Sequence, residues 1–309
     1  VTWTGSPGIK DAFTYLPWTA VLLAPGRWLA GDVRWALLVW GLVAAVGVWA
    51  LAHGTGATAL VRPLSRRRGG GSGGGSGGSG GGAESSEATA VGSRHTGPAA
   101  AWRGAAVLAL VFLAPGTLTQ VDQAWTEPLL LAGIVWWAVL VDRGRAWWAI
   151  LPLALACASK QHLALLLPVL LVWRPFGARR AVATGALTGL LIAPWFLAGP
   201  ADFVHDTITL LVSFHPIRFA NTLYLLALNT FGVTLPFWVT GLVVLGTLAA
   251  VVALVWRRQP GLAELLRWLA LVLLVANLVN KQAFYNQFWL VGAMVGLSLA
   301  VQPRPLSER

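Results

Sequence analysis

The chain has 309 residues, of which 57% are hydrophobic and only 11% are charged, and its formal net charge at pH 7 is +11. Soluble domains carry about 25% charged residues, so this composition excludes a soluble protein and indicates an integral membrane protein. The arginines stand in short clusters between long apolar runs, as in cytoplasmic loops, which argues against nucleic-acid binding. The single cysteine, Cys157, excludes an intrachain disulfide and a cysteine-rich metal site.

The N-terminal segment 1–33 begins with VTWTGSPGIKDAF, which has neither the basic nor the apolar region of a signal peptide. The stretch 13–30 is apolar but is interrupted by Pro17, Pro25 and Arg27. We therefore predict a pair of short re-entrant or surface helices on the outer face of the membrane. Because an outward N-terminus would have to be translocated unaided, we expect at least one further helix upstream of Val1.

Nine apolar runs follow, between residues 34 and 301, and we predict that each forms a membrane-spanning helix. Several are short for a hydrocarbon core of about 30 Å and would need local thinning. The predicted spans are 34–53, 104–117, 128–141, 146–159, 163–173, 181–198, 234–256, 264–280 and 285–301. The sequence therefore predicts an all-α, polytopic membrane protein.

The first two spans are separated by a long segment, 54–103, that contains the tract GGGSGGGSGGSGGG at 69–82. Glycine and serine bury no apolar surface, so we predict a disordered cytoplasmic loop without chemistry of its own. The arginine-containing segments between the later spans fall on the same side by strict alternation. We therefore place the N-terminus outside and the tail, 302–309, in the cytoplasm.

The interiors of the predicted spans contain no ionisable side chain near mid-membrane, which argues against a pump, a channel or a carrier of charged substrates. Polar and ionisable side chains gather instead at the predicted outer ends. They are Asp122, Glu127, Lys160, His162, Asp202, His205, Asp206, His215, Arg218, Lys281 and Asn286.

The chain has three lysines against 19 arginines, and all three lysines fall on the predicted outer side, against the usual charge bias. One explanation is that isolated lysines snorkel to the interface. The other is that Lys160, Lys281, Arg218 or a histidine holds an anionic group, most simply a lipid phosphate. His205 and His215 with Asp202 and Asp206 are a weaker metal-site candidate, and we assign neither a metal nor a cofactor.

Two stretches resemble a known family. They are FTYLPWTAVLLAPGRWL at 13–29 and TQVDQAWTEPLLLAGIVWWAVLVDRGRAWWAILPLALACASKQHLALLLPVLLVWRP at 119–175. Both are similar to glycosyltransferases of the multi-spanning GT-C fold that use polyprenyl-phosphate sugars, in particular the actinobacterial mannosyltransferase-like family 87. In this chain, Tyr15 is followed by Leu16-Pro17 where the family has Pro-Pro, and Glu127 stands about where it has an asparagine.

This resemblance implies a multi-pass enzyme of the plasma membrane of a bacterium, an actinobacterium. It would transfer a sugar, such as mannose, from a polyprenyl-phosphate donor to the hydroxyl of a lipid or glycan acceptor on the outer face. Glu127 or Asp122 would serve as the general base or orient the acceptor, and Asp11 is the only carboxylate near the place of the family's catalytic aspartate. The substrate-binding candidates are Tyr15, Lys160, Gln161, His162, His215, Arg218, Lys281 and Tyr285.

Two alternatives remain open from the sequence. The first is a membrane protein without enzymatic activity, such as a lipid or polysaccharide transporter, for which a repeated half-structure with broken helices would be typical. The second is an inactive or truncated relative of the glycosyltransferases.

Overall fold

The computed structural model describes residues 14–54 and 98–302, except for the side chains of residues 98 and 99. Within these ranges all regular structure is helical, which confirms the predicted fold class at that level. Asp11, the Gly/Ser-rich tract and the tail from residue 303 onwards lie outside the described residues.

The first half of the described chain contains α1 (Trp18–Ala30), α2 (Arg34–Ala52), α3 (Pro98–Phe112), α4 (Thr117–Asp122), α5 (Glu127–Asp142), α6 (Ile150–Cys157), a 3-10 segment (Gln161–Leu166) and α7 (Leu167–Val172). The second half contains α8 (Gly177–Ala198), α9 (Pro200–Val204), a π-helical turn (His205–Thr209), α10 (Leu210–Ser213), α11 (Leu223–Phe231), α12 (Phe237–Arg258), α13 (Leu262–Leu278) and α14 (Tyr285–Ala300).

Three helices, α2, α8 and α12, are both long enough and apolar enough to cross a membrane. Only 11% of the apolar stretch of α8 and 17% of that of α12 is buried in the protein. Their exposed apolar side chains would contact lipid, as expected for helices at the periphery of a membrane protein. The remaining predicted spans coincide with shorter helices, so the total of nine spans stays a prediction.

The second predicted span, 104–117, is displaced toward the N-terminus, since α3 ends at Phe112. The chain then turns through Pro115 and Gly116, and Gly116 has a φ of 85°, in the left-handed region. A proline followed by a left-handed glycine ends a helix, and Thr117 starts the separate helix α4. The predicted spans 146–159 and 163–173 are also shorter than expected, because the 3-10 segment separates α6 from α7.

The stretch 13–30, predicted to hold two short helices, contains one helix, α1. Pro17 stands at its N-cap, where a missing N–H is tolerated, and Pro25 removes only one internal hydrogen bond. The helix packs antiparallel to α2, and the Trp40 Nε1 donates to the carbonyl of Leu22 at 3.1 Å. The prediction of a helix pair was therefore wrong, because Pro17 precedes the helix and the packing of α1 against α2 outweighs the hydrogen bond lost at Pro25.

Helix α5 lies at the centre of the fold, and α2, α6 and α14 pack around it. Its contact with α6 is so close that a Cβ on Gly133 would lie 2.7 Å from the Cβ of Ala156. At the other end, Trp137 packs against the rings of Trp173 and Phe176, with centroid distances of 6.1 and 5.9 Å. The first residue of α5, Glu127, lies beside the start of α14, where Asn286 donates to it.

Candidate functional site

The carboxylate of Glu127 is fully buried, with an exposed fraction of 0%. Its Oε1 accepts hydrogen bonds from Lys160 Nζ at 2.5 Å and from Asn286 Nδ2 at 2.9 Å. Its Oε2 is buried and has no hydrogen-bond partner among the described residues. One carboxylate oxygen is therefore fixed by two donors, and the other is left to interact with a further group. We call Glu127, Lys160 and Asn286 the buried carboxylate cluster.

Lys160 lies between α6 and the 3-10 segment in an extended conformation, and its side chain reaches Glu127 at the start of α5. Only 8% of the residue is exposed, and its ammonium lies 5.4 Å from the centroid of the Tyr15 ring. Burial by itself lowers the pKa of Lys160, but the field of Glu127, the field of Tyr15 and the hydrogen bond to Glu127 together outweigh it, and the net pKa is raised. Lys160 is therefore a buried partner of Glu127, and the explanation of a snorkelling interface lysine does not hold for it.

Gln161 connects three segments beside this cluster. Its Nε2 donates to the backbone carbonyl of Thr14 at 3.2 Å and to that of Thr207 at 3.3 Å. Thr207 belongs to the π-helical turn His205–Thr209, a rare form of helix that is frequent at functional sites. Gln161 therefore ties the segment before α1 and the π-helical turn to the loop that presents Lys160.

Three further predicted residues lie in the loops after α10 and α13, which contacts of Lys281 join to each other. Lys281 Nζ donates to the carbonyl of Val212 at 2.6 Å, and the carbonyl of Lys281 accepts from the N–H of Ile217 at 3.1 Å. His215 and Arg218 flank Ile217 and are exposed. Partial burial lowers the pKa of Lys281. We call His215, Arg218 and Lys281 the basic loop group.

The other predicted site residues are not part of either group. Asp122 is exposed at the end of α4, where its Oδ2 accepts from Gln123 Nε2 at 2.9 Å. The Tyr285 hydroxyl donates to the carbonyl of Pro115 and so fastens the start of α14 to the turn before α4. His162 lies in the 3-10 segment next to Gln161 and is half-buried.

Gln120 and Thr126 were not singled out from the sequence, and Asn286 was grouped with the polar residues at the outer helix ends without a role in the site. All are at least nine-tenths buried. Eight buried side-chain atoms in the described part of the chain have no hydrogen-bond partner, and six of them belong to these three residues, Glu127 and Gln161. The sequence offered one signal for these residues, an amide or hydroxyl side chain beside an apolar run and near a predicted helix end. Many surface residues have the same feature, so the signal does not distinguish a site residue.

An apolar groove with a volume of about 340 Å³ lies between α1, α2, α5 and α6. Trp40 and Trp136 form part of its wall, and the indole N–H of each is bonded to a backbone carbonyl, so the groove receives only their apolar rings. Leu129 and Ala156 also line it. Leu129 lies two residues after Glu127 and Ala156 four residues before Lys160, so the groove and the buried carboxylate cluster share helix α5 and the end of α6.

Within the described ranges no three His, Cys, Asp or Glu side chains are close enough to hold a metal ion. The buried carboxylate cluster itself offers one carboxylate with a free oxygen, an adjacent ammonium and an amide. Comparison with known proteins finds no matching family model, no similar curated protein and no similar solved structure.

Proposed function

We propose that this protein is a membrane glycosyltransferase that moves a sugar from a polyprenyl-phosphate donor to an acceptor hydroxyl on the outer membrane face. The observation that supports it is the geometry of Glu127, whose Oε1 is fixed by Lys160 and Asn286 while Oε2 has no partner among the described residues. A general base needs a fixed orientation and one oxygen available to the proton it removes. Glu127 meets both requirements.

In the proposed reaction, the acceptor hydroxyl oxygen attacks C1 of the donor sugar, and its proton passes to Glu127 Oε2. The bond between C1 and the phosphate oxygen breaks, and polyprenyl phosphate leaves with the electron pair. Lys160 already neutralises Glu127, so the basic loop group (His215, Arg218 and Lys281) is the better candidate for stabilising the departing phosphate. The apolar groove would accommodate hydrocarbon of a lipid-linked substrate.

This assignment changes the role that the sequence predicts for Lys160, from binding the phosphate to holding the base. In this proposal Tyr15 and Gln161 help to keep Lys160 in position and do not contact the substrate. The sugar is mannose in the proposal because the sequence resembles mannosyltransferases.

The test is transfer of radiolabelled mannose from polyprenyl-phosphate mannose into lipid and glycan fractions of membranes that contain the full-length protein. Glu127→Gln keeps the shape of the side chain but removes the base, so we expect at least a tenfold loss of rate, equivalent to about 1.4 kcal/mol or more. Glu264→Gln is the matched control, since Glu264 also lies in the first turn of a helix but at the other end of the bundle.

Lys281→Gln should also lower the rate, and Lys281→Arg should restore much of it, because arginine keeps the positive charge. No label transfer above background with the wild-type protein, or equal rates for the wild type and Glu127→Gln, would contradict the proposed function.

A further inference from the structure

Two loops are fastened to each other at the end of the bundle where α7 and α12 terminate. Gln259, in the loop between α12 and α13, accepts from the backbone N–H of Arg174 through Oε1 and donates through Nε2 to the carbonyl of Val172, both at 2.9 Å. The indole N–H of Trp173 donates to the carbonyl of Pro260 at 2.8 Å. These three bonds hold the loop between α7 and α8 against the loop between α12 and α13.

The loop between α5 and α6 lies against the same region. The guanidinium carbon of Arg180, in the first turn of α8, is 5.3 Å from the centroid of the Trp147 ring, and Arg180 Nη1 donates to the carbonyl of Phe176 at 2.7 Å. Three adjacent loops therefore form one surface. The loops and the helix ends beside them contribute six arginines, which we call the arginine surface: Arg145, Arg174, Arg179, Arg180, Arg257 and Arg258.

The arginine surface carries an excess of positive charge. Among the described carboxylates, only Asp142, at the end of α5, and Glu264, in the first turn of α13, belong to the elements at this end. Glu264 Oε1 accepts from Trp268 Nε1 at 3.3 Å. Six arginines are thus opposed by two carboxylates, and such an excess favours the binding of an anion.

The arginines at the start of α8 are the ones that the fold itself does not account for. Arg257 and Arg258 end α12, where positive charge complements the helix dipole, and positive loops on this side are expected from the predicted topology alone. Arg179 and Arg180 stand instead in the first turn of α8, which contains no acidic residue, so their charges oppose the helix dipole. Arg180 Nε also has no hydrogen-bond partner among the described residues. An anion beside Arg179 and Arg180 would compensate their charges.

The side chains around the arginines indicate that this anion is part of a lipid. Guanidinium groups present planar N–H donors that match phosphate oxygens, and all three lysines of the chain lie elsewhere. Trp147, Trp148 and Trp256 are 58%, 72% and 66% exposed beside the arginines, and exposed tryptophan is typical of the headgroup level of a membrane. From there α8 and α12 present their exposed apolar faces to lipid chains. A phosphate joined to hydrocarbon uses all of these features, whereas free phosphate uses only the arginines.

We propose that the arginine surface binds the headgroup of an anionic phospholipid, with Arg179 and Arg180 as the principal contacts of its phosphate. The excess of arginine selects an anionic headgroup, because the ammonium of a zwitterionic lipid would be repelled. The site lies at the opposite end of α5 from Glu127 and does not depend on the proposed function. Because the phosphate neutralises part of the excess charge, bound lipid stabilises the folded protein.

The test is a titration of the purified full-length protein in detergent with short-chain lipids that dissolve as monomers. The unfolding midpoint is measured in increasing dihexanoyl-phosphatidylglycerol, in dihexanoyl-phosphatidylcholine and in glycerol 1-phosphate, all at constant ionic strength. A ligand that binds the folded state raises the midpoint, and the dependence of the rise on concentration gives the dissociation constant. We expect a rise with phosphatidylglycerol and none with the other two compounds.

Two variants test the assigned contacts. Arg179→Gln removes one exposed guanidinium and should weaken the binding of phosphatidylglycerol about fivefold, the effect of one basic side chain at an anionic lipid surface. Arg180→Lys keeps the charge but loses the planar donors and the stacking on Trp147, so it should also weaken binding. Because Arg180 also donates to the carbonyl of Phe176, the rise in each variant is measured from its own midpoint without lipid.

Arg267→Gln is the matched control, because it removes the same charge from an exposed side chain of α13, whose Nε donates to the carbonyl of Ala263 at 3.2 Å. It should bind phosphatidylglycerol as the wild type does. No rise with phosphatidylglycerol, an equal rise with phosphatidylcholine or glycerol 1-phosphate, or wild-type affinity in Arg179→Gln or Arg180→Lys would each overturn the proposal. An equal loss of affinity in Arg267→Gln would show a general effect of net charge and would overturn it as well.

Discussion

Replacing Lys160 by methionine should destabilise the protein strongly, because it leaves a fully buried carboxylate without its counter-charge. The side chain of Lys160 is 10% exposed and that of Glu127 is 0% exposed, and their atoms are 2.5 Å apart. Breaking a buried ion pair by removing one partner costs about 3–5 kcal/mol, whereas an exposed pair contributes at most about 1 kcal/mol. We therefore expect Lys160→Met to lower the free energy of unfolding by about 3–5 kcal/mol.

The double variant Glu127→Gln/Lys160→Met should recover most of this loss, because no charge remains buried without a partner. Under the proposed function, mannose transfer should stay absent, since Glu127, the proposed base, is gone. Stability and activity would then separate within one pair of residues, which a purely structural ion pair would not predict.

The assay is equilibrium unfolding in detergent, followed by tryptophan fluorescence, for the wild type, both single variants and the double variant. Because the pKa of Lys160 is raised above its usual 10.5, the contribution of its charge is complete below that pH and disappears as the pH rises through the folded-state pKa. The loss in the free energy of unfolding caused by Lys160→Met should therefore be the same at pH 7 and pH 9. A deficit below about 1 kcal/mol would show that the pair is solvated and would refute the reasoning.

Two further predictions concern topology and packing. In a Cys157→Ala background, a single cysteine that replaces Phe219, which is 79% exposed, should react with a membrane-impermeant thiol reagent on intact cells. A cysteine that replaces Arg258 should not react, because Arg258 lies on the predicted cytoplasmic side. Equal labelling at both positions would contradict the predicted topology. Gly133→Ala should lower the free energy of unfolding by about 1–3 kcal/mol, because the new Cβ would lie 2.7 Å from the Ala156 Cβ. In the same unfolding assay Gly189→Ala is the control, since a Cβ there meets no atom within 4 Å, and it should be neutral or stabilise the protein by up to about 1 kcal/mol.

Hydropathy was sufficient to find the long apolar helices, because such helices are continuous apolar runs that polar turns separate, but it missed α4, α9, α10 and α11. It also placed Glu127, Lys160 and Asn286 at helix ends on one predicted side, and the structure brings these three together. Hydropathy cannot tell how each helix is rotated, so the sequence did not reveal that Lys160 points at Glu127 rather than at a ligand. Their contact joins residues that are 33 positions apart.

Local irregularities were also beyond prediction from composition. The 3-10 segment, the π-helical turn and the left-handed Ala124 depend on which tertiary contacts outweigh local preference. Gln120 and Thr126 were missed for a related reason, since their burial depends on tertiary packing, which includes that of α4 against α2. The sequence therefore predicted the region of the site but not its hydrogen-bonding pattern.

The three longest apolar helices differ in length, and this has a consequence for the surrounding bilayer. At about 1.5 Å per residue, the 19 residues of α2 extend about 28 Å, and the 22 residues of α8 and of α12 extend about 33 Å. Helices α8 and α12 match a hydrocarbon core of about 30 Å only if they tilt by roughly 25°. Helix α2 is shorter than this core, so it must lie parallel to the membrane normal and the bilayer around it must thin slightly. Lipids beside α1 and α2 would then be compressed relative to those beside α8 and α12, so short-chain lipids would concentrate at the mouth of the apolar groove.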